Sequence, residues 1–251
     1  LGAATQGRIS LWMALMLQSG ALATATAALD LNAWHLLFKP ATMVLALICI
    51  AACAQSVSTS EQKNSTRKTA LLTAAIVFSL GGDVCLMLDG LFIPGLVSFL
   101  LAHVCYIVLF GSDARWFTDR RALCGIAAIG IAMYAYLWTH GLPSAMRAPV
   151  AAYVCVIALM AAQAWSRHQQ LCTRSSLLVA LGASFFMFSD SVLAINRFVQ
   201  PLPWAAIWVL SSYYIAQTLI VAGCLMSYLN ARAKIQPPHT ASALLANAPA
   251  S

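Results

Sequence analysis

Charge is what this sequence has least of. Only 8% of its 251 residues are charged, and six aspartates and one glutamate are its whole acidic complement. Soluble chains carry about 25% charged residues, so water is not the solvent for most of this protein. The cysteines, eight in all, have no Cys-x-x-Cys spacing and fall almost entirely within apolar runs. That pattern reads as small buried apolar side chains, not as a disulfide or metal framework. There is no nucleotide-binding glycine loop, no Gly-x-Ser-x-Gly elbow and no His/Cys metal spacing. Serine hydrolysis therefore has little support, and no metal or cofactor is expected. The net charge of +7 is spread over connecting segments, which suits orientation in a membrane and not nucleic-acid binding.

What the sequence does have is long apolar runs, with 61% hydrophobic residues and a mean hydropathy of +0.81. The runs are continuous, unlike the alternating ten-residue segments of a β-barrel, and helices satisfy their own backbone in lipid. They predict an all-α polytopic membrane protein, an integral multi-pass bundle that would sit in the inner membrane of a bacterial source. Eight transmembrane helices are expected at about 9–29, 34–54, 70–88, 91–110, 121–140, 148–165, 174–195 and 204–229. The first run ends in small residues, as a signal-peptidase site does, but it is longer than a signal core and is read as a membrane helix. Residues 230–251, rich in Ala, Ser and Pro, read as a disordered tail. Eleven lysines and arginines fall at one set of helix ends, while Arg147 and Arg197 alone mark the other. By the positive-inside rule both termini are expected to be cytoplasmic.

Two carboxylates break the apolar runs. Asp83 lies in Phe78-Ser-Leu-Gly-Gly-Asp-Val-Cys-Leu-Met-Leu88, and Asp190 in Phe185-Phe-Met-Phe-Ser-Asp-Ser-Val-Leu-Ala-Ile195. A charged side chain at the bilayer centre costs about 2.5–3.5 kcal/mol on insertion scales and marks a functional site by default. Each lies five residues from the outer end of its expected helix, and Lys39 lies five residues inside the outer end of the second. At ~1.5 Å per residue all three share a layer roughly 8 Å deep. Asp83 therefore has Lys39 as a candidate partner, although a lysine there also has the option of snorkelling to the interface. His103 and Tyr106, one turn apart, and the stripe Tyr213, Tyr214 and Gln217 are further polar candidates. Arg197, seven residues after Asp190 and next to Asn196, is a candidate structural partner or phosphate ligand.

The residues Phe38-Lys-Pro40, Ser79-Leu-Gly-Gly-Asp83, Ala102-His-Val-Cys-Tyr106, Phe188-Ser-Asp190 with Leu193-Ala194, and Tyr213-Tyr-Ile-Ala-Gln217 occur in an order that resembles the YhhN-like lysoplasmalogenases. The resemblance covers about residues 10–230. It implies a membrane hydrolase acting on ether bonds, which cleaves the vinyl ether of lysoplasmalogens to a fatty aldehyde and a glycerophospho-alcohol. Asp83 and Asp190 would then be catalytic. Lys39, His103, Tyr106, Asn196, Arg197, Tyr213, Tyr214 and Gln217 would bind substrate. A lysophospholipid and the surrounding membrane lipids are the implied partners. A vinyl ether yields to acid, and two carboxyls can divide acid and base roles as they do around the oxocarbenium-like transition state of glycosidases. A proton-coupled transporter or lipid-binding membrane protein would use the same buried aspartates. An intramembrane aspartyl protease fits less well, because its Gly-x-Gly-Asp motif would need glycine where Leu80 stands.

Overall fold

A computed structural model describes residues 3–54 and 62–235, and all regular structure among them is helical: α1 (Ala3–Ala28), α2 (Asn32–Ala54), α3 (Gln62–Leu86), α4 (Phe92–Phe110), α5 (Arg120–His140), α6 (Ser144–Leu171), α7 (Arg174–Phe198) and α8 (Ala205–Ile235). Each contains a stretch long and apolar enough to cross a membrane. The protein is a multi-pass integral membrane protein, with eight such helices among the described residues. Most of the expected tail, from residue 236 on, lies outside the described residues.

Several helices outrun the apolar segments that predicted them. α3 starts at Gln62 instead of near 70, α6 spans Ser144–Leu171 instead of 148–165, and α8 continues to Ile235. The apolar run marks the part inside hydrocarbon. The helix carries on through the polar interface because its hydrogen bonds close internally wherever it lies. α2 also runs through Pro40 without a break.

Local signals set the ends. The Asp119 side chain accepts from the backbone amides of Arg121 and Ala122, both at 3.1 Å, and caps α5. Thr173 and Ser176 form a reciprocal capping box on α7. α5 stops at Gly141, whose φ of +139° suits glycine alone, and a Cβ there would meet the Phe198 carbonyl oxygen at 2.5 Å.

Small residues let the helices approach, as expected where lipid supplies no hydrophobic drive between them. On the α7–α8 contact, a Cβ on Gly182 would sit 2.8 Å from the Ala216 carbonyl oxygen, and one on Gly223 2.6 Å from that of Ser175. α8 is the most buried helix and α5 the least. The main core draws on the other seven helices, with α5 contributing Ile126 at its edge. A smaller cluster around Leu137, Leu142 and Val150 ties the far half of α5 to α6 and α7.

The α4–α5 connection is pinned to α6 at the end of the bundle where the described chain begins and ends. Arg167 donates through Nε and Nη2 to the two oxygens of Asp113 at 2.7 and 2.9 Å, and Lys68 of α3 adds a bond at 3.2 Å. Burial alone would raise the Asp113 carboxyl, but the guanidinium and ammonium outweigh it and hold it below the ordinary carboxylate value.

Candidate active site

Asp83 is 2% exposed and reached by two side chains from other helices. Lys39 Nζ of α2 lies 3.4 Å from one carboxylate oxygen, and the Tyr213 hydroxyl of α8 donates to the other at 2.7 Å. Lys39 is itself buried, so it does not snorkel. Gly82 makes this possible: a Cβ there would be 2.5 Å from the ring of Phe99, so only glycine lets α4 pack beside the aspartate. One turn before Asp83, Ser79 accepts from Gln217 at 3.0 Å, and the Gln217 carbonyl in turn accepts from Tyr106 at 2.7 Å. Ser79, Tyr106, Tyr213 and Gln217 thus form one polar network through α3, α4 and α8.

Asp190 sits differently. It meets neither Lys39 nor Arg197 but accepts a short hydrogen bond from the hydroxyl of Tyr153 on α6. It also lines an apolar cavity of about 70 Å³ between α3–α4 and α5–α7, whose walls include Phe92, Phe99, Leu137, Tyr153 and Phe198. The cavity opens in the half of the bundle away from the chain termini, because its walls come from the end of α3, the start of α4, the later half of α5, the start of α6 and the end of α7.

Between the two carboxyls runs an aromatic partition. Tyr153 packs edge-on against His103 (5.3 Å between centroids), His103 against Phe186 (4.7 Å), Phe186 against Tyr213 (5.4 Å), and Phe99 against both Phe186 and Tyr213 (6.3 and 5.9 Å). The partition begins at the phenol bonded to Asp190 and ends at the phenol bonded to Asp83. Within it His103 is fully buried, and neither ring nitrogen has a hydrogen-bond partner among the described residues. A buried polar group in that condition calls for water or a ligand.

The remaining expected residues lie further out. Arg197 is exposed, its guanidinium 5.2 Å above the ring of Phe92 at the cavity rim. The Asn196 carboxamide oxygen accepts from the Leu202 amide at 2.9 Å, which commits it to the α7–α8 connection. Tyr214 packs at a tilt beside Tyr213 but lies against Gly20 of α1 and does not line the cavity. Sequence reasoning missed Tyr153 and Phe99. Tyr153 did carry a signal, since it stands nine residues inside α6 and not at an interfacial helix end. Phe99 carried none, because a phenylalanine in an apolar run is ordinary.

A polytopic helical bundle with two carboxyls inside its spans, one buried and ion-paired and one partly buried beside an apolar cavity, defines a membrane protein with ionisable groups inside its apolar helices. The sequence profile of the YhhN family matches residues 34–224, and the chain belongs to that family. It is similar to lysoplasmalogenase TMEM86B of Homo sapiens, with 33% identity over 63% of this chain and 65% of the human protein. Lysoplasmalogenase TMEM86A of Homo sapiens is 33% identical over 61% of the chain and 64% of that protein. A lysoplasmalogenase of Mycobacterium tuberculosis is 26% identical over 75% of the chain and 71% of its own length. The chain thus spans slightly less than two thirds of the human relatives. No solved structure matches it.

Proposed function

We propose that this protein is a lysoplasmalogenase, hydrolysing the vinyl ether of an alkenyl lysophospholipid to a fatty aldehyde and a glycerophospho-alcohol. The observation that carries this is the unlike setting of its two aspartates: Asp190 faces the apolar cavity beside a neutral phenol, while Asp83 holds a cation. Asp190 is the proton donor. It protonates the β-carbon of the vinyl ether, and the α-carbon becomes an oxocarbenium ion. Asp83, fixed by Lys39 and Tyr213, supplies negative charge across the partition, and the rings of Phe99 and Tyr153 line the cavity in which the cation forms. Water attacks the α-carbon. Loss of its proton restores the acid, and the hemiacetal collapses to aldehyde and alcohol.

Arg197 at the rim takes the phosphate. From Asp190 to Arg197 is seven residues, or roughly 10 Å of helix. The seven bonds from the β-carbon to phosphorus span roughly 8 Å at the ~1.2 Å per bond of an extended chain. The termini face the cytoplasm in this reading, as the eleven-to-two distribution of basic residues requires. Reporters fused at either terminus would then be active inside the cell, and reporters at Gly141 outside it.

The test is aldehyde release from a defined alkenyl lysophospholipid by purified protein. The saturated alkyl ether lacks the carbon to protonate and should bind without turnover. A transporter or lipid-binding protein would return the alkenyl substrate intact.

A further inference from the structure

The cavity beside Asp190 holds about 70 Å³, room for a few water-sized groups and far too little for a long alkyl chain. A chain attached at Asp190 must therefore leave. The wall at Gly130 is shared with a second apolar space. Gly130 and Val154 line the cavity on one side, and on the other they line an apolar groove of about 290 Å³ between α5 and α6, floored by Ala127, Ala151, Cys155 and Ala158. A Cβ on Gly130 would lie 3.4 Å from Val154 Cγ1 and 3.5 Å from Ala158 Cβ, so α5 and α6 are in ordinary contact there, and Gly130 and Val154 are the residues that cavity and groove share.

Depth agrees. Asp190 is eight residues from the end of α7, about 12 Å, and Gly130 is ten from the end of α5, about 15 Å. With the phosphate nearer that end, the carbons following the vinyl ether arrive at Gly130. α5 is also the helix best able to yield. It is the least buried of the eight, joins the main core only at its edge, and turns Ile129 and Ile131 outward, 57% and 69% exposed.

We infer that Gly130 marks a lateral portal, through which the alkyl chain of a bound lysophospholipid passes from the cavity into the α5–α6 groove and the surrounding bilayer. The occupant is a single long aliphatic chain, because the groove offers almost no polar group and shares Gly130 and Val154 with the cavity beside Asp190. The substrate is then drawn sideways out of a leaflet with its chain never wholly enclosed, and chain length beyond the groove matters little. This rests on the proposed reaction for its catalytic readout but not for its binding readout.

Two experiments separate them. First, Cys155 is an exposed native thiol in the groove, while Cys124 and Cys172 are exposed elsewhere. A lipid-soluble maleimide on the full chain, with and without saturated hexadecyl-ether lysophosphatidylcholine, should label Cys155 at least fivefold more slowly with the lipid, with Cys124 and Cys172 unchanged. Equal labelling of Cys155 would overturn the portal even if the enzyme releases aldehyde. Second, Gly130→Leu should lower the long-chain to short-chain ratio of kcat/KM at least tenfold, through KM, when hexadecenyl and butenyl substrates are compared. Gly125→Leu, on the same helix with nothing within 4 Å of its Cβ, should keep the wild-type ratio; both changes favour helix, so lost folding is not built into either. A ratio unchanged by Gly130→Leu would overturn the portal. If wild-type protein releases no aldehyde while Cys155 is still protected, the reaction fails and the chain path stands.

Discussion

Asp113 and Asp83 are each held by a basic side chain from a helix other than their own element, yet their surroundings are opposite. Asp113 stands outside the hydrocarbon layer and is gripped on both oxygens by Arg167, with Lys68 added. Its neighbours leave no room for anything else to react, and its effect is to staple the α4–α5 connection to α6 and α3. Asp83 meets one lysine at 3.4 Å and one phenol, and beyond the aromatic partition lies a second carboxyl with a cavity in front of it. A saturated, bidentate pair at a membrane edge is structural. In the proposed reaction, a sparsely neutralised carboxylate inside lipid keeps interaction capacity for a substrate.

The strongest way to break this comparison is at Asp190, the proton donor of the proposed reaction, which lies beyond the partition from Asp83. Asp190→Asn should lower aldehyde release at least a hundredfold, since a positioned acid contributes about 10²–10⁴-fold, while Asp113→Asn should stay within about threefold of wild type in the same assay. Comparable losses in both would erase the distinction.

Next comes the ion pair. Lys39→Met strands the Asp83 carboxylate and should destabilise the protein by about 3–5 kcal/mol, as breaking a buried pair does. Adding Asp83→Asn should recover most of the thermal midpoint but none of the rate. Rate recovered along with stability would reduce the pair to scaffolding.

Tyr153→Phe keeps the ring against His103 and removes only the hydroxyl that touches Asp190. A drop of about tenfold in kcat with little change in KM is expected, roughly the ~1.4 kcal/mol of one hydrogen bond to a reacting group. The same change in both parameters would point to lost packing instead.

The smallest effect is at the staple, and it is seen in stability. A carboxyl held below its ordinary value stabilises the folded state above that value and loses the contribution as pH falls through its folded value. Asp113→Asn should therefore unfold at a lower temperature than wild type at neutral pH, by an amount matching about 1–3 kcal/mol. The gap should close as pH drops below about 4, the ordinary aspartate value. A gap that widened in acid would reverse the sign.

Several features were legible from residues alone. Eight apolar runs predicted eight helices because the bilayer fixes how many apolar residues a span needs, and the helix ends drifted only where polar interface lets a helix continue unseen. Asp83, Lys39 and Asp190 stood out because ionisable groups in hydrocarbon are few, so their depth alone proposed a meeting. Depth does not give azimuth, however. Helical runs that are apolar on every face carry no marker of which side turns inward, so they did not show that Tyr153 and Phe99 line the cavity or that Asn196 and Tyr214 do not.

The sequence by itself determined the solvent, the number of spans and the identity of the buried ionisable residues, since each follows from composition along one dimension. Tertiary structure alone decided which aspartate takes the lysine and which takes the phenol, and where the cavity opens. Those depend on which glycines let helices touch: Gly82 admits the ring of Phe99, and Gly182 and Gly223 seat α8 against α7. Such contacts lie between residues far apart in the chain, where no local pattern records them.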